Sequence, residues 1–408
     1  MNIYHYFWKN SMLQIYLRQW ENHHFIPSFV GLIYLLFWGI WLPSSSATGT
    51  SLPTQTPQLE TTTVAATATS QSPPSATATS SFPSDQDIIS KADTYLSKLT
   101  KARLFSGAVL MARNGKVLVR QGYGEADRKR HIGNTAQTKF RLGSLTKQFT
   151  AMAILILQAQ GKLNVRDRIC PYLPNCPISW QAITIHQLLT HTSGIPDFTR
   201  FPDYQTTQGL PSSPTQTIAR FKEKPLNFQP GEKFSYSNSG YVVLGAIVEQ
   251  ASGKSYEAFL KDHIFVPLQM VNSGYDHNNG DLAVGYRDQT SVADFIDMSI
   301  PYAAGGLYST VEDLYRWDQA LYTDKLIPKS LRDQMFTPFG GFGYGYGWGI
   351  GKEGDRPVAS HIGGVQGFSS SIARYPNDKV VIRVASNRED VNSGTIGVQL
   401  AKMFFGEK

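Results

Sequence analysis

Strand-forming segments stand near both ends of this chain, and helix-forming ones fill the interval. Gly107 to Met111 and Lys116 to Gln121 are apolar-rich runs joined by Asn114-Gly115. That dipeptide accepts the positive φ angles of a two-residue turn, so the pair reads as a β-hairpin. A second hairpin lies close to the other end, where Gly367 to Tyr375 and Val380 to Ala385 flank the turn Pro376-Asn377-Asp378. Asp87 to Leu99 reads as an amphipathic helix ahead of the first hairpin, and Gly394 to Phe404 as a helix after the second. Between them Ser144 to Gln160, Trp180 to Leu189, Tyr241 to Ala251 and Val311 to Leu321 are helical stretches separated by Gly/Pro loops. The expected fold is α+β: an antiparallel sheet formed by both chain ends and flanked by helices, with a mostly helical central lobe.

Upstream of residue 85 the composition is different. Phe25 to Leu42 is uncharged and apolar, just long enough to cross a hydrocarbon core of about 30 Å. Lys9 and Arg18 precede it and no Lys or Arg follows until Lys91, an asymmetry that puts the N-terminus inside and everything after residue 42 outside. Residues 1–42 therefore read as a cytoplasmic tail and signal-anchor; a cleaved signal peptide, with Ser45-Ser46-Ala47 offering small residues, is the alternative and would give a secreted protein. Residues 43–84 are almost entirely Ser, Thr, Ala, Pro and Gln, which bury too little apolar surface to offset ordering and so read as a disordered linker. Residues 85–408 are the expected globular domain, facing the periplasm or the cell exterior.

The formal net charge is +7. The same excess remains beyond residue 84, because Lys9 and Arg18 are balanced there by Glu21 and Glu60. It is spread thinly, with no basic stripe interleaved with aromatics, so a nucleic-acid partner has no support. The two cysteines, Cys170 and Cys176, lie in Cys-Pro-Tyr-Leu-Pro-Asn-Cys. In an oxidising compartment they read as a disulfide. Two separate thiols, or half a zinc site, are the alternatives, and the second would need two more ligands at metal spacing.

The sharpest local feature is Arg141-Leu142-Gly143-Ser144-Leu145-Thr146-Lys147. Ser144 stands at a helix start, where backbone N–H groups are unpaired and suit a developing oxyanion, and Lys147 is one turn along on the same face. A lysine among apolar neighbours is pushed toward its neutral form and accepts a hydroxyl proton, which is the nucleophile-plus-base arrangement of acyl transfer. A second element, Pro230 to Gly240, offers Tyr236 and Asn238 on a loop before the helix from Tyr241. Tyr236 can share the proton with Lys147, and Asn238 can bond the lysine or a substrate amide. The third element is His361-Ile362-Gly363-Gly364 at the start of the late hairpin, where paired glycines permit close backbone approach and a free N–H completes an oxyanion hole.

In this order the three elements resemble the serine β-lactamase and penicillin-binding protein superfamily, in particular the branch of class C β-lactamases, D,D-peptidases and related esterases, with S-x-x-K, Y-x-N, then K-T-G or H-x-G. The resemblance covers about residues 90 to 405 and takes in Leu188 to Pro196, Pro230-Gly231 and Ala304 to Leu307. It implies a β-lactamase/transpeptidase-like fold and an acyl-serine intermediate on Ser144. Lys147 and Tyr236 would then be the base pair, and the N–H groups of Ser144 and Gly364 the oxyanion hole. Asn238, His361 and Gly363 would line the substrate site. An esterase, D,D-carboxypeptidase or D-aminopeptidase is implied, with weak β-lactamase activity left open; the rival is a penicillin-recognising or wall-binding module without efficient turnover.

One departure matters. Where β-lactamases carry K-T-G this chain has His361-Ile362-Gly363, replacing an ammonium and a hydroxyl by a largely neutral imidazole and an aliphatic side chain. The expected substrate is an ester or amide lacking the usual carboxylate anchor. His186 and His191 are not spaced as metal ligands, and His191 reads as a loop-ordering side chain. No metal or cofactor is implied. Gly343 to Gly349 alternates Gly with aromatics and reads as one packed face of a strand, and Arg388 as a solvated loop arginine.

Overall fold

The structure, a computed structural model, describes residues 83–278 and 280–407. The apolar stretch 25–42 and the Ser/Thr/Pro-rich tract up to residue 82 lie outside the described residues; among the described residues no helix is long and apolar enough to cross a membrane.

The main sheet has six strands: β1 (Gly107–Arg113), β2 (Lys116–Tyr123), β3 (Gly349–Glu353), β4 (Arg356–Val365), β5 (Phe368–Tyr375) and β6 (Val380–Ser386). Their order is β2-β1-β6-β5-β4-β3 and each neighbouring pair is antiparallel. The seam between the two ends of the chain is β1 against β6, running from Gly107 opposite Ser386 to Arg113 opposite Val380. The longer helices are α1 (Asp85–Lys101), α2 (Thr146–Ala159), α3 (Asn238–Ser252), α4 (Val311–Ala320) and α5 (Ser393–Phe405). This is the α+β architecture with both chain ends in one sheet.

Successive side chains of a strand point to opposite faces. Val109 and Met111 of β1, with Ile382 and Val384 of β6, meet Ile88, Ala92 and Leu96 of α1 and Ile396, Leu400 and Phe404 of α5. Ala108, Leu110 and Ala112, with Val381 and Ala385, meet Phe140 and Val311 on the other face. The central lobe packs around α2, in which every residue from Thr146 to Leu157 is buried. A helix buried all round is a core element; here it carries a lysine into the core.

Several local expectations are corrected. Trp180 to Leu189 is not one helix: Trp180 ends a single tight turn, and extended Thr184 starts a new helix, Ile185–Leu189, through a reciprocal capping box with Gln187. Helix α3 begins at Asn238 rather than Tyr241, because Ser237 caps it by accepting from the Gly240 N–H. Segment 343–348 is a series of turns, with Gly343 and Gly347 at positive φ, and a strand starts only at Gly349. Arg388 is buried, donating to the Asp390 carboxylate and the Arg103 carbonyl. Cys170 and Cys176 are joined as a disulfide beside the central lobe.

Because Leu400 of α5 is wholly buried against the sheet, Leu400→Ala is expected to lower stability by about 3 kcal/mol in guanidinium unfolding. A change below about 1 kcal/mol would mean that α5 does not seal this face.

Candidate active site

The site begins where the sheet meets α2. Phe140–Arg141 pairs with Leu307–Ser309, and the chain then turns through Gly143, at φ +52°, into one tight turn, Gly143–Leu145, that runs into α2. Ser144 thus sits in the turn just ahead of the helix. Gly143 is required here: a Cβ on it would stand 2.8 Å from both N and O of Gly364 on β4. A Cβ on Gly363 would stand 2.0 Å from the Leu142 carbonyl oxygen. The missing side chains let β4 lie directly on the turn that holds Ser144, and the Ser370 hydroxyl donates to the Leu142 carbonyl at 2.7 Å across the same contact. Gly364 is exposed beside it.

Lys147 is wholly buried. Its Nζ donates to Ser144 Oγ at 3.1 Å, to Asn238 Oδ1 at 2.8 Å and to the Ala304 carbonyl at 2.8 Å. The ring centres of Tyr236 and Tyr241 lie 4.8 Å and 5.5 Å from it. Burial pushes the Lys147 pKa down to about 7, against the opposing pull of Asp197, because the charged form loses water that aromatic and carbonyl neighbours only partly replace. Gly347 closes over the base of the helix, where a Cβ would come 2.7 Å from the Lys147 carbonyl oxygen.

Tyr236 is held in place by His191, a residue at φ +57°. The His191 carbonyl accepts the Ser235 N–H at 2.9 Å, and its Nδ1 accepts the Ser237 N–H at 3.1 Å. The imidazole also lies on the Tyr236 ring, with centres 4.2 Å apart. Nδ1 can accept only if the ring proton is on Nε2, so His191 is neutral. Burial, with Lys147 and His361 nearby, holds its pKa well below the ordinary histidine range.

Asn238 is the first residue of α3, not part of the preceding loop. Its Nδ2 donates to Asp197 Oδ2 at 3.2 Å and to Thr199 Oγ1 at 3.3 Å, and its backbone N–H to Asp197 Oδ1 at 3.2 Å. Of the two partners expected for Asn238, the structure supplies the lysine.

His361 lies within β4, upstream of the late hairpin, because the strand already begins at Arg356. It is buried, the Tyr344 hydroxyl donates to its Nε2 at 3.0 Å, and its Nδ1–H donates to the Ile362 carbonyl at 2.8 Å. Burial first, and Lys147 second, push its pKa down to about 3. Both ring nitrogens are engaged and neither presents a charge.

Ser144, Lys147, Tyr236, Asn238, His361, Gly363 and Gly364 therefore surround one place. Cys170 and Cys176 belong to the central lobe. Asp197, the Ala304 carbonyl and Tyr344 were not singled out from sequence as site residues. The signal for the first two was present, since Asp197 directly follows Leu188 to Pro196 and Ala304 opens the Ala-Gly-Gly-Leu segment. Among the described residues no group of His, Cys, Asp and Glu is arranged to hold a metal ion.

The profile of the Beta-lactamase family matches residues 58–397. PbpX of Bacillus subtilis (strain 168) is 38% identical over 240 residues, 57% of this chain and 59% of PbpX, so the chain spans less than two thirds of that relative. A penicillin-binding protein of the same strain is 30% identical over 326 residues, covering 73% of this chain and 71% of that protein. Among solved structures, the octameric penicillin-binding protein homologue from Pyrococcus abyssi superposes with a TM-score of 0.70 at 29% identity, covering 78% of each chain.

The surroundings of His361 make one expectation that needs no substrate. Its ring nitrogens should keep a single neutral-form NMR pattern between about pH 4 and 8; a midpoint near about 6.5 would mean that the ring is open to water.

Proposed function

The chain belongs to the β-lactamase family, and from that premise we propose that it is an active-site-serine hydrolase acting on an ester or amide outside the cytoplasm. The observation that carries this reading is the set of partners of Lys147 Nζ. Two are carbonyl oxygens, Asn238 Oδ1 and Ala304 O, and the third is the Ser144 hydroxyl. A neutral amine has two N–H donors and one lone pair. The carbonyls take both donors, which leaves the lone pair facing the serine O–H.

In the first step Ser144 Oγ forms a bond to the substrate carbonyl carbon while its proton passes to Lys147, assisted by Tyr236. The carbonyl oxygen gains negative charge against the N–H groups of Ser144 and Gly364, beside the start of α2. The bond to the leaving group then breaks, and that group takes the proton from the Lys147–Tyr236 pair. Water attacks the acyl-serine by the same route in reverse, releasing the acid and restoring Ser144.

The cleft carries no cation in the place of the K-T-G ammonium, since His361 is neutral and Ile362 is aliphatic. A substrate without a carboxylate at that end fits best: a carboxylic ester or the amide of a D-amino acid, with β-lactams as poor substrates. The apolar stretch 25–42 and the linker after it would tether the domain to the outer face of a membrane. A penicillin-recognising module without efficient turnover is the rival reading; it would use Lys147 to form the acyl-serine but not to release it, so turnover separates the two.

Lys147 must be unprotonated to act, so a fluorophosphonate should label Ser144 at a rate that is full above pH 7 and falls as pH drops through about 7. Ser144→Ala should abolish the label, and Lys147→Met should slow it by about 10²- to 10⁴-fold. Turnover of p-nitrophenyl esters should far exceed that of benzylpenicillin. Equal rates would sink the argument from the missing cation, and label without turnover of any ester or D-amino-acid amide would favour the binder.

A further inference from the structure

We propose that Asp197 is a positioning residue for this site: it holds the Asn238 amide in the one orientation that keeps a carbonyl oxygen, rather than an NH2 group, against Lys147 Nζ. The inference rests on the proposed serine hydrolase for its functional meaning, but its geometry stands by itself. A side-chain amide has an acceptor end and a donor end of nearly equal shape. Turned over, Asn238 would point N–H groups at Nζ, and the amine would lose an acceptor. The flip is opposed on the far side by Nδ2 to Asp197 Oδ2 at 3.2 Å, while Nδ2 to Thr199 Oγ1 at 3.3 Å and the backbone N–H of Asn238 to Asp197 Oδ1 at 3.2 Å hold the two side chains in register. A carboxylate only accepts, so the end of Asn238 that faces Asp197 has to be the donor end.

Asp197 caps the short turn Phe198–Arg200, accepting from the Thr199 N–H at 3.3 Å, but capping does not by itself call for a buried charge, since a serine or asparagine caps as well. Ser237 already caps α3. Asp197 is 7% exposed. Burial raises its pKa, while Arg200, with Nε at 3.9 Å, donors from Thr199 and the charge of Lys147 work to keep it ionised. The titratable groups facing Lys147 are the Asp197 carboxylate, the imidazoles of His191 and His361, and the phenols of Tyr236 and Tyr241. Of these, Asp197 alone is a carboxylic acid, and the groups on its oxygens are donors: the Asn238 N–H and Nδ2 and the Thr199 N–H. It acts on Lys147 twice, through its field and through the amide that it orients. It also sets specificity: both N–H bonds of Asn238 are spent on Asp197 and Thr199, so Asn238 has no donor for a substrate carbonyl, and substrate recognition near Lys147 falls to the backbone.

The test is a titration of Lys147 Nζ by 15N NMR in the lysine-labelled full chain, alongside fluorophosphonate labelling of the unchanged protein. Asp197→Asn removes the charge and the acceptor-only face, so the Lys147 midpoint should fall by about one pH unit. A purely structural role predicts the opposite sign, because loosened packing would admit water and raise the midpoint. An unchanged or raised midpoint overturns the proposal. Should that variant fail to fold, the swapped pair Asp197→Asn with Asn238→Asp restores an amide–carboxylate contact in the reverse sense and places the charge directly on Nζ. There the midpoint should rise by about one unit or more, and an unmoved midpoint overturns the proposal equally. Absence of label on Ser144 in the unchanged protein would count against the hydrolase reading and leave the titration to decide the role of Asp197.

Discussion

The site depends on putting the amine of Lys147 where water cannot reach it. Moving an ammonium out of water costs several kcal/mol unless partners replace the lost hydration. A buried lysine meets that cost most readily by giving up its proton. The surroundings here do part of both: two carbonyl oxygens and two aromatic faces lie around Nζ, and the pKa still comes down to about 7. The lysine is therefore poised between its forms near neutral pH, the condition under which a general base is most useful.

That condition reaches far into the fold. Helix α2 is buried on every side from Thr146 to Leu157, so Lys147 cannot be drawn out to solvent by an exposed face. Strand β4 lies on the turn before α2 only because Gly143 and Gly363 lack side chains, and the same approach brings Gly364 beside Ser144. One residue, His191, fixes the backbone on both sides of Tyr236 and stacks on its ring. The neighbourhood is otherwise low in charge. His191 and His361 are both neutral, which spares Lys147 a cationic neighbour and leaves the cleft without a grip on a substrate carboxylate. Under the proposed function, the pKa of the base and the exclusion of β-lactams have the same origin.

Much of this is legible in the sequence because it is local. The two hairpins announce themselves by turn residues and alternating faces, and one helical turn is enough to set Lys147 against Ser144. What the sequence does not state is where a segment ends when two signals compete. Thr184 and Ser237 are both good caps, and each moved a helix start away from the position that apolar spacing indicates. The Gly/aromatic segment has the period of a strand, yet its glycines are used for positive φ and for close packing on α2. The site residues missed have a common character. Asp197, Ala304 and Tyr344 act on Asn238, Lys147 and His361 across gaps of 41, 157 and 17 residues. Such pairings follow from the tertiary fold and leave no periodic trace in the chain.

The central claim, that this pocket is built to carry an acyl group on Ser144, is tested most directly by a crystal structure of the protein after reaction with an aryl phosphonate. The account predicts phosphorus bonded to Ser144 Oγ, its anionic oxygen accepting from the N–H groups of Ser144 and Gly364, and Lys147 Nζ still bound to Asn238 and Ala304. An unmodified Ser144, or an adduct whose oxygen faces solvent with Lys147 displaced from the two carbonyls, would contradict it.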